Sequence, residues 1–234
     1  MKTTLIIALG AMALAQNAHA VEVTGGTLQI GHSAFTDDTS ISSTSFTGGL
    51  EVGFNRNFAL QFDLGLYGLN TINETGTNAA IHAVYHVNET ASLGFFLGND
   101  DIAGSADFYG IEGGFALSGV DVELYLANED DNVSSGDLFG LELHHDFNEE
   151  VGITGTFDRA SFDGGVDLTR FKIGVNYNLS PTAEIYGEMG NLNTSVLGLS
   201  GSESFVGIGA RINFGAARGV TFNRRGLLSM LPGL

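Results

Sequence analysis

The chain has 234 residues, with 27 acidic against 9 basic side chains, a formal charge of −18, 34 glycines, 2 prolines and no cysteine. So negative a surface repels nucleic acid and gathers cations, and without cysteine there is neither a disulfide nor a thiolate to bind metal or attack a substrate. Glycine at roughly twice its usual ~7% share, with so little proline, points to strands that twist and bulge and away from a disordered linker.

The chain opens with Lys2, an apolar run from Leu5 to Ala15, and the small-x-small sequence Ala18-His19-Ala20. Residues 1–20 are therefore expected to be a signal peptide that is removed on export. No later stretch approaches the roughly 18 consecutive apolar residues of a membrane-spanning helix, so periplasm, outer membrane or medium remain as destinations.

From residue 21 onward no convincing helix precedes residue 215, and the recurring pattern is alternation with a period of two. A first strand, about Val23 to Ala34, sets Leu28 and Ile30 against Thr27, Gln29 and Ser33. The second, Phe46 to Phe54, sets Leu50, Val52 and Phe54 against Thr47, Gly49 and Glu51. The third, Phe58 to Tyr67, is the cleanest, with Phe58, Leu60, Phe62, Leu64 and Leu66 opposite Ala59, Gln61, Asp63 and Gly65. Strands over Ala79–Val87 (His82 and His86 on the polar phase), Ala91–Leu97, Phe108–Leu117 and Val120–Ala127 come next. Five more cover Leu138–Phe147, Val151–Asp158, Leu168–Tyr177, Ala183–Met189 and Ser204–Phe214, making twelve.

Short and long connections alternate. Asn55-Arg56-Asn57, Asn88-Glu89, Ser118-Gly119, Asn148-Glu149-Glu150 and Ser180-Pro181-Thr182 read as tight turns. Thr36–Ser45, Gly68–Asn78, Gly98–Asp107, Asn128–Asp137, Arg159–Asp167 and Gly190–Glu203 read as long polar loops. Aromatics sit toward both strand ends: Phe54, Phe58, Phe147, Tyr177 and Phe214 on the turn side, and Phe35, Phe46, Tyr109 and Phe157 on the loop side. All are taken to lie on the apolar phase, as an interfacial girdle requires. The other phase, rich in glycine and charge, is not expected to make a dry core, which weighs against a soluble half-buried sheet.

The stretch Ser204-Phe-Val-Gly-Ile-Gly-Ala-Arg-Ile-Asn-Phe214, an alternating strand ending in an aromatic, resembles the closing strand of Gram-negative outer-membrane β-barrels. In that family the aromatic is usually the last residue, whereas here twenty residues come after it. The resemblance, together with the even strand count and the alternating turns, implies an all-β fold, an antiparallel up-and-down transmembrane barrel over 21–214 in the cell outer membrane.

With the apolar phase facing lipid, the pore would be lined by Glu51, Asp63, Glu112, Asp121, Glu123, Glu142, Glu184 and Glu188, and by Arg170, Lys172 and Arg211. Acids on one wall and bases on the other resemble the transverse field of general porins. Carboxylates lower the energy of a passing cation, so the expectation is a passive, cation-preferring channel for ions and small hydrophilic solutes. The alternative is a non-conducting structural or adhesive barrel, in which Glu184 and Glu188 neutralise Arg170, Lys172 and Arg211 across a narrow lumen.

Twelve-stranded acyl hydrolases also exist, but His32, on the lipid phase near the outer end of the first strand, has Ser33 pointing the other way and no motif around it, and His144 and His145 point to opposite faces. His82 and His86, four apart on a strand, lie ~13 Å apart, too far to share a metal. No catalytic residue, cofactor or metal is assigned. The acidic run Asn128 to Asn132 offers oxygens to Ca²⁺ or Mg²⁺ bridging lipopolysaccharide, but its spacing matches no EF-hand and solvation of an exposed loop is the reading kept. Outer-membrane lipid, lipopolysaccharide and small solutes are the expected partners, with a homo-oligomer left open. The tail, 215–234, carries Arg218, Arg224 and Arg225, no acid, and the cluster Leu227, Leu228, Met230 and Leu231. A short helix on the inner leaflet, a plug drawn into the acidic lumen and a frayed end are all compatible with it.

Overall fold

A computed structural model describes residues 21–102, 104–131, 133–215 and 219–232. The segment read as a signal peptide lies outside the described residues. Twelve strands run in order: β1 (Glu22–Phe35), β2 (Ser42–Gly53), β3 (Phe58–Leu69), β4 (Glu74–Asn88), β5 (Ala91–Asp101), β6 (Ser105–Leu117), β7 (Val120–Asp130), β8 (Ser135–Asp146), β9 (Val151–Phe162), β10 (Val166–Ser180), β11 (Ala183–Val196) and β12 (Leu199–Gly215). Each pairs antiparallel with the next, and β1 returns to β12 with Leu28 opposite Ile212 and Ile30 opposite Ala210. Closure leaves no strand edge, the condition for a sheet to exist in hydrocarbon.

The period-two pattern sorts side chains as the sequence requires. Leu64, Leu66, Leu93, Ile111, Leu117, Met189 and Ile208 stand exposed on the outer face, while Thr47, Gln61, Asp63, His82 and Glu112, on the opposite phase, are buried inside. This inversion, greasy outside and polar inside, is what a lipid solvent selects.

Three expectations are corrected. The first concerns the six long outer loops, five of which are mostly strand: β4 already begins at Glu74, β5 runs to Asp101, β7 to Asp130 and β9 to Phe162. At the β11–β12 joint Asn193 pairs with Ser202, Thr194 with Gly201 and Ser195 with Ser200, leaving Leu197 and Gly198 at the tip. Both tip residues have positive φ, 51° and 85°, the conformation a two-residue turn needs to match strand twist. The same geometry recurs at the opposite end at Ser118 and Gly119, φ 53° and 82°. Serine, threonine and asparagine carry no apolar rhythm, yet their main chains pair across a ladder as well as those of leucine, so the wall extends further than its apolar band.

The second correction is Phe35, which faces inward and packs with Leu192 and Phe205. Leu28 and Ile30 put the even positions of β1 in lipid, and Phe35 is odd. The third is the interior, which does contain a dry layer. Phe96, Phe108, Tyr125, Leu138 and Ala160 form a buried cluster in the outer half of the lumen, completed by Met230 from the segment after β12. That segment supplies the apolar partner the wall lacks. Glycine makes room at both ends of the lumen: a Cβ on Gly140 would strike the Tyr125 ring of the dry layer, and one on Gly25, at the turn end, would strike the Gly219 carbonyl where the segment enters.

The outer turns are fastened locally. The Ser40 hydroxyl and N–H both donate to Asp38 Oδ1, and the N–H groups of Val133 and Ser134 donate to Asp131 Oδ1. These donors hold both carboxyls below the ordinary aspartate range, for Asp38 chiefly the Ser40 hydroxyl and for Asp131 chiefly the Ser134 N–H.

Candidate functional site in the lumen

Residues 219–232 run inside the barrel from the end that holds the tight turns toward the outer end, fastened along the inner wall. The Thr221 N–H donates to Glu51 Oε2 at 3.0 Å. Gln61 pairs with both main-chain groups of Phe222, accepting from its N–H at 3.0 Å and donating to its carbonyl at 2.7 Å. The Asn223 N–H donates to Glu123 at 3.0 Å and its side-chain amide to Glu142 at 2.9 Å. Further out, Asn78 donates to the Arg225 carbonyl, the Leu227 and Leu228 N–H groups donate to Glu129 and Asp100, and Arg170 donates to the Ser229 carbonyl. A single-turn 3-10 helix, Leu227–Ser229, ends the run.

Arg225 is the centre of this contact. Its guanidinium donates to Glu112 Oε2 at 2.8 Å and Glu123 Oε1 at 2.6 Å, and lies over the Tyr125 ring, 4.5 Å from its centroid. Glu112 also meets His82 Nδ1 at 2.7 Å, and His82 Nε2 faces Asp63 at 3.1 Å. The result is a buried chain of alternating partners, Asp63, His82, Glu112, Arg225 and Glu123. Buried charges persist only when paired in this way, and removal of one member leaves the others stranded.

The opposite wall satisfies itself. Lys172 Nζ reaches Glu188 at 3.0 Å, Arg211 reaches Glu184 at 3.0 Å and Gln29 at 3.1 Å, and Arg170 makes a two-pronged contact with Asp158 at 2.9 and 2.6 Å. Between this wall and the segment lies a cavity of about 560 Å³ that extends to the turn residues Glu89, Thr90 and Pro181. Asp121, Glu123, Glu142, Lys172, Glu184, Glu188 and Arg211 border it. Glu51, Asp63, Glu112 and Arg170 are instead buried, Glu51, Glu112 and Arg170 directly against the segment and Asp63 behind Gln61.

Several contact residues had no role in the sequence analysis: Gln61, Asn78, Asp100, Tyr125, Glu129 and Asp158. Asp100 and Glu129 fall in stretches read as polar loops, but with β5 and β7 extended they lie on the inward phase and receive N–H groups of the segment. Extending each strand by its own alternation would have found them. Among the described residues no group of three or more histidine or carboxylate side chains is arranged to hold a metal ion.

A family model described as outer membrane protein beta-barrel domain matches residues 3–178 of the chain. The chain belongs to that family. It is an outer-membrane protein, and its apolar outer face is its lipid face. Among solved structures, the fold resembles a KdgM porin in complex with disordered oligogalacturonate, at 12% identity and a TM-score of 0.63 over 80% of this chain and 99% of the other. It also resembles the NanC porin, at 10% identity and a TM-score of 0.61 over 82% of this chain and 99% of the other. No curated protein matches the sequence. At such identities the likeness is one of fold, so the site must be argued from this barrel's own residues.

Proposed function

We propose that this outer-membrane barrel is a channel for passive diffusion of ions and small hydrophilic solutes, with a preference for cations, narrowed by residues 219–232. One observation carries the reading: the cavity beside the segment is bordered by seven acidic side chains, Glu89, Asp121, Glu123, Glu142, Asp146, Glu184 and Glu188, against two basic ones, Lys172 and Arg211. A low-dielectric wall focuses that field, raising the local concentration of cations and opposing anions. A polyanion such as the oligogalacturonate bound by the KdgM porin would be repelled.

Catalysis forms no part of this reading. The nearest thing to a nucleophile and base is Ser92 beside His86, 2.9 Å from Oγ to Nδ1. The main chain of Ser92 is committed to the β4–β5 and β5–β6 ladders, so its own N–H does not serve to stabilise an oxyanion. A second reading, a non-conducting structural or adhesive barrel, draws support from the packing of Leu228 and Met230 in the outer half of the lumen.

Single-channel recording in a planar bilayer under a KCl gradient tests both. Stepwise openings whose reversal potential lies toward the K⁺ equilibrium value are expected. Silence from correctly folded protein, with and without residues 216–234, would leave the structural barrel.

A further inference from the structure

We propose that the lumen is a recognition site for cationic peptides, and that residues 219–232 are its built-in occupant. The reason lies in which atoms the wall holds. Gln61 pairs with the N–H and the carbonyl of a single residue, Phe222, as a neighbouring strand would. Glu51, Glu129 and Asp100 each receive a main-chain N–H, and Asn78 and Arg170 each donate to a main-chain carbonyl. Main-chain groups belong to every peptide, so this part of the contact is tolerant of sequence.

Selectivity comes from four anchors. Phe222 packs against Ala59 and Val84 and stacks on His82. Arg225 fills the cage of Glu112, Glu123 and the Tyr125 face. Leu228 packs against Tyr67 and Leu69, and Met230 joins the Phe96 and Phe108 cluster. The pattern is aromatic, arginine, leucine and methionine at relative positions 0, 3, 6 and 8. A neutral saccharide has hydroxyl donors for the carboxylates but no cation for the Glu112 and Glu123 cage, and a small organic cation would occupy only that cage. A cationic peptide satisfies both the carboxylates and the cage.

This proposal does not depend on ion conduction, since binding is measured in detergent without current. The full chain is folded with a protease site inserted between Gly215 and Gly219, then cut, and a fluorescent peptide of residues 219–232 is added. Saturable exchange with the cut segment is expected. The Arg225→Ala peptide should bind at least about tenfold more weakly, as truncation of a central arginine anchor does. A peptide that keeps the four anchors and Gly226, which has a φ of 99° and whose Cβ would strike Asp100 and Phe108, with serine or alanine at the other places between them, should compete within about tenfold, and one with its arginine moved two places should not.

Four outcomes overturn the proposal. They are failure of the labelled peptide to exchange into the cut, still-folded barrel, equal binding by the shifted peptide, loss of competition when only the residues between the anchors other than Gly226 are changed, and competition by argininamide as strong as that of the peptide.

Discussion

The two halves of the inner wall handle charge in opposite ways. On β10 to β12, Lys172 pairs with Glu188 and Arg211 with Glu184, partners on adjacent strands that form with the sheet itself. On β3 to β7, Asp63, Glu112 and Glu123 have no lysine or arginine of the barrel as partner among the contacts described; His82 lies between the first two, and the arginine that meets Glu112 and Glu123 is Arg225, from the chain beyond β12. One half is therefore complete as a barrel, and the other is complete only when the chain beyond the barrel folds back into it. An acidic wall with no lysine or arginine of its own is a site waiting for one.

The largest way to break this contrast is Arg225→Ala, which takes the guanidinium from between Glu112 and Glu123. Loss of a buried partner costs ~3–5 kcal/mol, so hydrogen exchange at the Leu227 and Leu228 amides should accelerate by orders of magnitude while the β-ladder amides keep their protection. Unchanged exchange at those two amides would show that the arginine does not hold the segment. Next is Leu228→Ala, which empties the pocket formed with Tyr67 and Leu69. A cost of ~2–5 kcal/mol should appear as new protease sensitivity within 219–232, again without loss of the barrel.

The opposite wall sharpens the comparison with smaller effects. Lys172→Met removes one of the two bases beside the cavity from a pair whose side chains are each about one-fifth exposed (21% and 20%). Stability should change by ~1 kcal/mol or less, segment protection should be unaffected, and the reversal potential in a KCl gradient should move further toward that of K⁺. Smallest is Arg56→Ala in the turn-to-turn pair with Glu89, whose side chains are 85% and 87% exposed. No shift in thermal unfolding beyond ~0.5 kcal/mol is expected.

Much of the wall was legible because lipid imposes a one-dimensional rule. Leu60, Phe62, Leu64 and Leu66 can alternate with Gln61, Asp63 and Gly65 only if the two faces meet different solvents. The rule fails where both faces meet water or protein. It did not extend β9 through Arg159 to Phe162 or start β12 at Leu199, because serine, glycine and glutamate there carry no apolar beat. It also misassigned Phe35, whose aromatic ring was read as lipid-facing when its parity with Leu28 and Ile30 says otherwise. Asp100 and Glu129 were lost for the same reason, as acids counted by composition and not by phase.

The sequence by itself determined the twelve alternating strands, the inward direction of the charged phase and the basic, acid-free character of the residues after Phe214, since each depends on residue type and a period of two. Tertiary structure alone decided which acid meets which base. Arg225 lies 113 residues from Glu112 and 102 from Glu123, and no local pattern records that distance. Only closure of β1 onto β12 creates an enclosed low-dielectric space in which unpaired carboxylates are costly enough to hold the segment inside.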